Sequence, residues 1–223
     1  MSFAGFGPKA LNFLKALGFH QTKAWFDENR ALYEAELKEP MGDLVEELSE
    51  ALGKAKIPLR GDRRKAVFRI HRDTRFSKDK SPYKTNAGFV LNRDGTKNTG
   101  GMLYVHIDPA GCFTAAGWYH PEPETLAALR QAIVKSPKAY LAMEDALAAG
   151  KLKFSDEWSL KRTPKGFEHL TDERLIAAVR RKGLVVSRDL SPKDIATPKL
   201  VDTLVAFVRD AEPLLRFGWK AAA

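Results

Sequence analysis

The sequence predicts an α+β fold in which an antiparallel sheet is flanked by N-terminal and C-terminal helices. Apolar residues recur at helical spacing before residue 53 and again after residue 121. Between residues 86 and 119, apolar and polar residues alternate and turn residues interrupt them, which is typical of antiparallel strands with one buried face. We find no repeat, low-complexity tract or linker, and therefore expect one domain over residues 1–223.

Three helices are predicted in the N-terminal region. Pro8 begins the first helix and Gly18 ends it, because proline is favourable in a first turn and glycine just after a last one. Thr22 caps a second helix, which we expect Pro40 to close. A third apolar stripe covers residues 41–52.

The strands of the predicted sheet follow a basic connector. We expect a short strand over Ala66–His71 and then a meander of three strands joined by turns. The meander strands cover Asn86–Leu91, Met102–Asp108 and Cys112–Tyr119, and the first connection is Asn92–Gly101.

The C-terminal region returns to helical spacing. Thr171 is placed to cap one helix and Thr197 to open the last one, with a short strand over Leu184–Ser187 between them. Two earlier helices carry apolar residues over 126–133 and 140–147.

Positive charge is concentrated in one part of the chain. The sequence has 37 basic and 28 acidic residues, a formal net charge of +9. Residues 54–84 alone hold 12 basic and 3 acidic residues, so this short segment carries a charge equal to the excess of the whole chain. Because a solvated surface usually mixes the two signs, such a concentration indicates a site for an anion.

The composition also bounds the class of protein. The single cysteine, Cys112, excludes an intrachain disulfide framework and fits a reducing compartment. No run approaches the roughly 18 apolar residues of a membrane span. We therefore expect a soluble, cytoplasmic protein that does not enter a membrane.

The stretch from Arg69 to Lys84 is the strongest candidate for a binding site. Arginine offers a planar fork of donors that suits phosphate or carboxylate, and lysine adds a compact positive charge. The predicted ligand-binding residues here are Arg69, Arg72, Arg75, Asp79, Lys80 and Tyr83. The alternative is a structural network of ion pairs, in which Asp73 pairs with Arg72 or Arg75 and Asp79 pairs with a lysine.

Two residues are candidates for proton transfer. Asp73 lies among the arginines, and His106 shares the polar face of the middle meander strand with Asp108. His71 is a possible third member of an acid–base or metal site. None of the five histidines shows a metal-ligand spacing, so we predict no metal ligands and leave the cofactor unassigned.

A second segment is expected to border the same pocket. The turn Thr163–Phe167 contains Pro-Lys-Gly and can present backbone donors together with Lys165. We therefore add Lys165 to the predicted ligand-binding residues.

The central stretch also resembles the signature of a known family. The residues Arg69-x-x-Arg72-Asp73-x-Arg75-Phe76-x-x-Asp79-Lys80-x-x-Tyr83 are similar to those of the conserved hypothetical family called domain of unknown function 2461. Trp25-Phe26, Gly117–Pro123 and Leu160–Phe167 resemble the family as well. The resemblance implies one full-length domain and assigns no catalytic residue.

Three functional interpretations remain open at this point. The stretch forms a pocket for a small anionic ligand, with an enzyme acting on a phosphorylated or acidic molecule as one form of this hypothesis. Alternatively, the basic segment 54–84 binds nucleic acid, with Phe76 and Tyr83 stacking on bases. A purely structural salt-bridge motif is the third. The sequence does not give the oligomeric state.

Overall fold

A computed structural model describes residues 2–97, 100–156 and 158–222 of the chain. In these ranges the chain forms helices and a four-stranded antiparallel sheet with the strand order β1-β2-β3-β4, which confirms the α+β class. The strands are β1 (Ala87–Leu91), β2 (Met102–Ile107), β3 (Cys112–Trp118) and β4 (Leu184–Leu190). The predicted meander corresponds to β1–β3, although Asn98 and Thr99 of the predicted connection Asn92–Gly101 lie outside the described residues.

The helices follow the two apolar regions of the sequence. The N-terminal ones are α1 (Pro8–Phe19), α2 (Lys23–Glu28), α3 (Arg30–Tyr33) and α4 (Glu39–Lys54). Those after β3 are α5 (Pro123–Lys135), α6 (Pro137–Ala149), α7 (Glu173–Arg180), α8 (Pro192–Ile195) and α9 (Leu200–Ala221). Pro8 begins α1, and the Thr22 hydroxyl accepts a hydrogen bond from the Trp25 amide, as the sequence predicts. Among the described helices, none is both long and apolar enough to cross a membrane.

The prediction that Pro40 closes a helix is wrong. A π-helical segment, Glu34–Lys38, joins α3 to α4, and Pro40 lies in the first turn of α4. Proline has no amide hydrogen, and its ring would clash with the carbonyl of Glu36 in a regular α-helix. A wider π turn just before the proline accommodates that ring, so the chain continues instead of stopping.

The chain divides into two compact units. Unit 1 comprises the described residues of 1–99, 103–114 and 189–206, and unit 2 those of 100–102, 115–188 and 207–223. This division does not test the expectation of one domain over residues 1–223, which stays a prediction.

The core of unit 1 lies on the apolar faces of α1, α4 and the first strands. In β2 the side chains of Leu103, Val105 and Ile107 are fully buried, whereas those between them are half-buried. The alternation along β2 therefore has the one buried face that the sequence predicts. The register places Gly88 of β1 opposite His106 of β2.

The segment 66–71 is not the regular strand that the sequence predicts. Its start pairs with β1, where the Phe68 amide donates to the Gly88 carbonyl at 2.9 Å. Two residues later it pairs with another segment, because the Lys84 amide donates to the Ile70 carbonyl at 2.8 Å. This change of partner leaves isolated bridges and no continuous ladder, and it folds residues 72–82 into a loop.

Unit 2 contains a buried arginine as its main polar feature. The guanidinium of Arg181 donates to the Tyr140 hydroxyl at 2.9 Å and to the Asp156 carboxylate at 3.0 Å. A carboxylate oxygen of Glu144 lies 3.5 Å from it, and the ring of Phe154 packs against its other side. These contacts satisfy a buried charge and so support the packing of unit 2.

Candidate functional site

The main candidate site in unit 1 is an open cleft with a volume of about 980 Å³. One wall is made by α2, α3, the π-helical segment, the start of α4 and Arg63, which pairs with α4, and the other by residues 64–71. Lys84 and Lys97 complete the second wall. π-helical turns are frequent at functional sites, and here Glu34 and Lys38 of that segment line the cleft.

Aromatic rings give the cleft an apolar lining. Phe26, Tyr33 and Phe68 all line it. Behind them, Tyr83 stacks on Phe26 with ring centres 4.5 Å apart, and His71 packs edge-on against the same ring at 5.8 Å. Tyr83 is buried, at 3% exposure, so it supports Phe26 from below and does not reach the cleft surface.

The cations on the helical wall are neutralised by carboxylates. Arg30 pairs with Asp27 one turn away, and Lys38 pairs with Glu34 at 3.3 Å. The guanidinium of Arg63 is surrounded by three carboxylates. They belong to Glu39, Asp43 and Glu46, at 2.7, 3.2 and 3.1 Å.

The opposite wall carries cations that no carboxylate neutralises. The ammonium nitrogens of Lys84 and Lys97 lie 5.5 and 5.0 Å from the centre of the Phe68 ring. Lys97 donates to the Val67 carbonyl, and Arg69 stands beside Phe68 in the chain. Among the described residues, none of these three cations forms an ion pair within contact distance, although the Arg69 charge contributes to the lowered pKa of Asp73.

The electrostatics of the two lysines reflect this arrangement. Burial lowers the pKa of Lys84, and the positive charges of Arg69 and Arg72 lower it further. Burial also lowers the pKa of Lys97, with a contribution from Lys84. The charged form of each lysine is therefore disfavoured by burial and by the positive charges next to it. The electrostatic potential at this wall is positive.

The loop 72–80 places its charged residues differently from the predicted pocket. Arg72 pairs with Asp79 at 2.5 Å, and the guanidinium of Arg75 makes two hydrogen bonds to Asp73, at 3.0 and 2.7 Å. Lys80 donates to a backbone carbonyl of the same loop at 2.9 Å. None of these five side chains lines the cleft.

The two aspartates of the loop are ionised partners of the cations around them. A hydrogen bond from Arg75 lowers the pKa of Asp73. The pKa of Asp79 is lowered by hydrogen bonds from Ser81 and then by Arg72. The pairing of Asp73 with Arg75 is one that the structural alternative named, whereas Asp79 pairs with an arginine and not with a lysine. The predicted catalytic role of Asp73 and the ligand role of Asp79 stay predictions.

Of the predicted site residues, Arg69 lines the cleft. Lys165 lies in unit 2, where it is exposed in the turn closed by a hydrogen bond from the Phe167 amide to the Pro164 carbonyl. Its role stays a prediction. Sequence reasoning did not select Lys97 or Phe68 as site residues, since neither stands in a recognisable motif.

His106 lies in a separate polar group on β2. Its Nδ1 is 2.7 Å from the Tyr104 hydroxyl, and its Nε2 is 3.5 Å from a carboxylate oxygen of Asp108. Burial lowers the pKa of His106, and the Asp108 charge acts in the opposite direction. Among the described residues, no three histidine, cysteine or acidic side chains are placed to share a metal ion.

Comparison with known proteins gives a family match and nothing further. The family model described as conserved hypothetical protein, DUF2461, matches residues 9–217, nearly the whole chain. No curated protein and no solved structure matches the chain significantly.

Proposed function

The chain belongs to the DUF2461 family of conserved hypothetical proteins, and on this premise we propose that the cleft of unit 1 binds a small molecule through a phosphate or carboxylate group. One observation carries the proposal. Lys84 and Lys97 both lie beside one ring, that of Phe68, in half-buried positions where neither pairs with a described carboxylate. Partly buried charges normally have a counterion, and an anionic ligand would supply it.

The chemistry of this wall suits an oxyanion. Arg69 provides a planar fork that can donate two parallel hydrogen bonds to phosphate or carboxylate, and the two lysines provide point charges beside it. The helical wall does not compete for the same ligand, because its cations are already paired with Asp27, Glu34 and the three carboxylates around Arg63. The anionic group is therefore placed at the wall formed by residues 67–69.

The remainder of the cleft fits an apolar or planar portion of the ligand. Its volume of about 980 Å³ is at the upper end of the range for small-molecule sites. The rings of Tyr33 and Phe68 offer stacking surfaces. A phosphorylated or carboxylated molecule with one ring system matches both parts of the cleft. Cations around the anionic group would also stabilise negative charge that develops in a phosphate-ester reaction, which is the enzymatic form of this proposal.

The experiment is a thermal-shift titration with inorganic phosphate, sulfate, adenosine monophosphate and citrate. We expect a saturable rise in the Tm of the wild type with one of these anions. Lys84→Met should abolish the rise. Lys78→Met, which removes an exposed charge of the same stretch outside the cleft, should retain it. No rise with any anion, or an equal loss in both variants, would refute the proposed site.

Phe76 favours a second candidate function, binding of single-stranded nucleic acid. Its ring is 94% exposed, and the guanidinium carbon of Arg75 lies 5.8 Å from the ring centre. An exposed ring beside cations is the arrangement that stacks on bases and tracks phosphates. Fluorescence anisotropy with a labelled oligonucleotide tests it: binding should weaken steeply with salt and drop on Phe76→Ala. Binding unchanged by Phe76→Ala would exclude this ring as the contact.

A further inference from the structure

Three polar side chains follow one another at the half-buried face of β2 and just past its end. Tyr104 and His106 occupy alternate positions of β2 and project from the same face, and Asp108 follows directly after the strand. The Tyr104 hydroxyl lies 2.7 Å from His106 Nδ1, and an Asp108 carboxylate oxygen lies 3.5 Å from Nε2 on the other side of the imidazole ring. The three residues supply, in order, a carboxylate, an imidazole that can act as a base, and a phenol hydroxyl.

The carboxylate determines how the imidazole is protonated. An ionised carboxylate only accepts hydrogen bonds, so the proton of a neutral His106 is placed on Nε2, facing Asp108. Nδ1 then carries a lone pair and accepts the hydrogen bond that the Tyr104 hydroxyl donates. The base is thus oriented at the phenol, and the carboxylate is positioned to stabilise the imidazolium that forms when the proton transfers.

The surroundings keep this group in place and partly exclude water. The ring of Phe113 stacks on the imidazole with centres 4.6 Å apart, and the ring of Phe68 packs edge-on against Tyr104 at 6.1 Å. On the neighbouring strand β1, Gly88 lies opposite His106, and a Cβ at Gly88 would lie 3.1 Å from the Tyr104 hydroxyl. The absence of a side chain at this position leaves room for the phenol to lean along the strand toward His106.

We infer that Asp108, His106 and Tyr104 constitute a base-activated phenol, in which Tyr104 acts as a nucleophile toward activated acyl or sulfonyl groups. None of the three residues lines the cleft, so this inference goes beyond the proposed anion site and does not depend on it. Burial lowers the pKa of His106, so the imidazole is neutral and its Nδ1 lone pair is available to the phenol proton.

A sulfonyl fluoride is a suitable probe because its reaction with a phenol is a single balanced displacement. The Tyr104 oxygen attacks sulfur, its proton passes to His106 Nδ1, the new O–S bond forms, and the S–F bond breaks with release of fluoride. The imidazolium next to Asp108 then returns its proton to solvent. A general base in this position typically accelerates such a step about 10²- to 10⁴-fold.

The test treats the full chain with phenylmethanesulfonyl fluoride and follows each tyrosine by peptide mass spectrometry. Tyr119 is the internal comparator, since it is 60% exposed whereas Tyr104 is half-buried. We expect Tyr104 to be modified at least tenfold faster than Tyr119. Exposure alone predicts the reverse order, so modification of Tyr104 at a rate equal to or below that of Tyr119 overturns the inference without any variant.

Two variants then identify the base. His106→Asn retains an acceptor near the position of Nδ1 but cannot take the proton, so it should reduce the Tyr104 rate at least tenfold while Tyr119 is unchanged. Asp108→Asn should reduce the same rate by a smaller factor, because it removes only the charge that stabilises the imidazolium. A wild-type rate at Tyr104 in folded His106→Asn, judged by its Tm and circular dichroism, would show that His106 is not the base.

Discussion

Replacing Lys84 with methionine should make the empty protein more stable while abolishing its response to anions. Methionine has nearly the length of lysine and keeps an apolar contact with Phe68, over which the Lys84 ammonium lies. What the substitution removes is a charge that burial and the neighbouring Arg69 and Arg72 disfavour, as the lowered pKa of Lys84 indicates. A partly buried charge without a counterion lowers stability, so its removal should raise it.

The size of the effect follows from the positions of the two lysines. Their nitrogens lie 5.5 and 5.0 Å from the same ring centre, so the sum of these distances, 10.5 Å, is the upper bound on their separation. Two unit charges at that distance repel by roughly 1.5 kcal/mol at an effective dielectric constant of about 20. Screening at about 0.1 M salt reduces this to roughly 0.5 kcal/mol. In a chain of this size, 1 kcal/mol corresponds to a change in Tm of about 2–4 °C.

The assay is urea and thermal unfolding of the wild type, Lys84→Met and the control Lys78→Met in low and high salt. We expect Lys84→Met to exceed the wild type most at low salt, and Lys78→Met to match the wild type throughout. Since the pKa of Lys84 is lowered in the folded state, its cost is fully present below that pKa and disappears as the pH rises toward 10.5, the ordinary value. The gain should shrink in that window. A variant that is less stable than the wild type in both salts would refute the reasoning.

Two further substitutions test the packing of unit 2. Arg181→Ala should lower the free energy of unfolding by about 1.5–3 kcal/mol in urea titrations, because it removes the hydrogen bonds that the buried guanidinium donates to the Tyr140 hydroxyl and the Asp156 carboxylate, while Glu144 keeps its ion pair with Arg174; a loss below about 0.5 kcal/mol would contradict that role. Gly117→Ala should cost about 3 kcal/mol or more, since Gly117 has a φ of +128° and a Cβ there would lie 2.0 Å from the Leu184 carbonyl oxygen. Gly53→Ala, where a Cβ in the last turn of α4 meets open space, is the control and should leave the Tm unchanged or raise it by up to about 4 °C, because alanine is favoured over glycine in a helix.

The parts of the fold that were predictable from sequence depend on local signals. Pro8 and Thr22 mark helix starts because their effect on the backbone acts within one turn. The alternation along β2 shows one buried face because a strand has a period of two residues, wherever its neighbours lie. Even the shared face of His106 and Asp108 follows from this period alone.

The parts that were not predictable depend on partners far away in the chain. Nothing in residues 66–71 indicates that pairing passes from β1 to residues 82–84, which interrupts the expected strand. Lys97 reaches the cleft because it donates to the Val67 carbonyl, thirty residues earlier, and no motif contains both. Pro40 has a local effect, but whether the helix ends there or adopts a π turn is decided by the packing of the helices that follow.

The charge of the basic segment divides into two populations with different consequences. Arg72 and Arg75 are compensated by Asp79 and Asp73 within their own loop, so their net effect on the surrounding field is small. Lys84 has no such partner, and its repulsion with Lys97 raises the free energy of the empty cleft. The anion that we propose for this site would relieve the repulsion, and on that proposal the instability of the empty site and part of its affinity arise from the same interaction. A substitution that stabilises the empty protein at this wall should therefore weaken anion binding by a comparable free energy. Neutralising Arg72 or Arg75 should not change stability and anion binding by matching amounts.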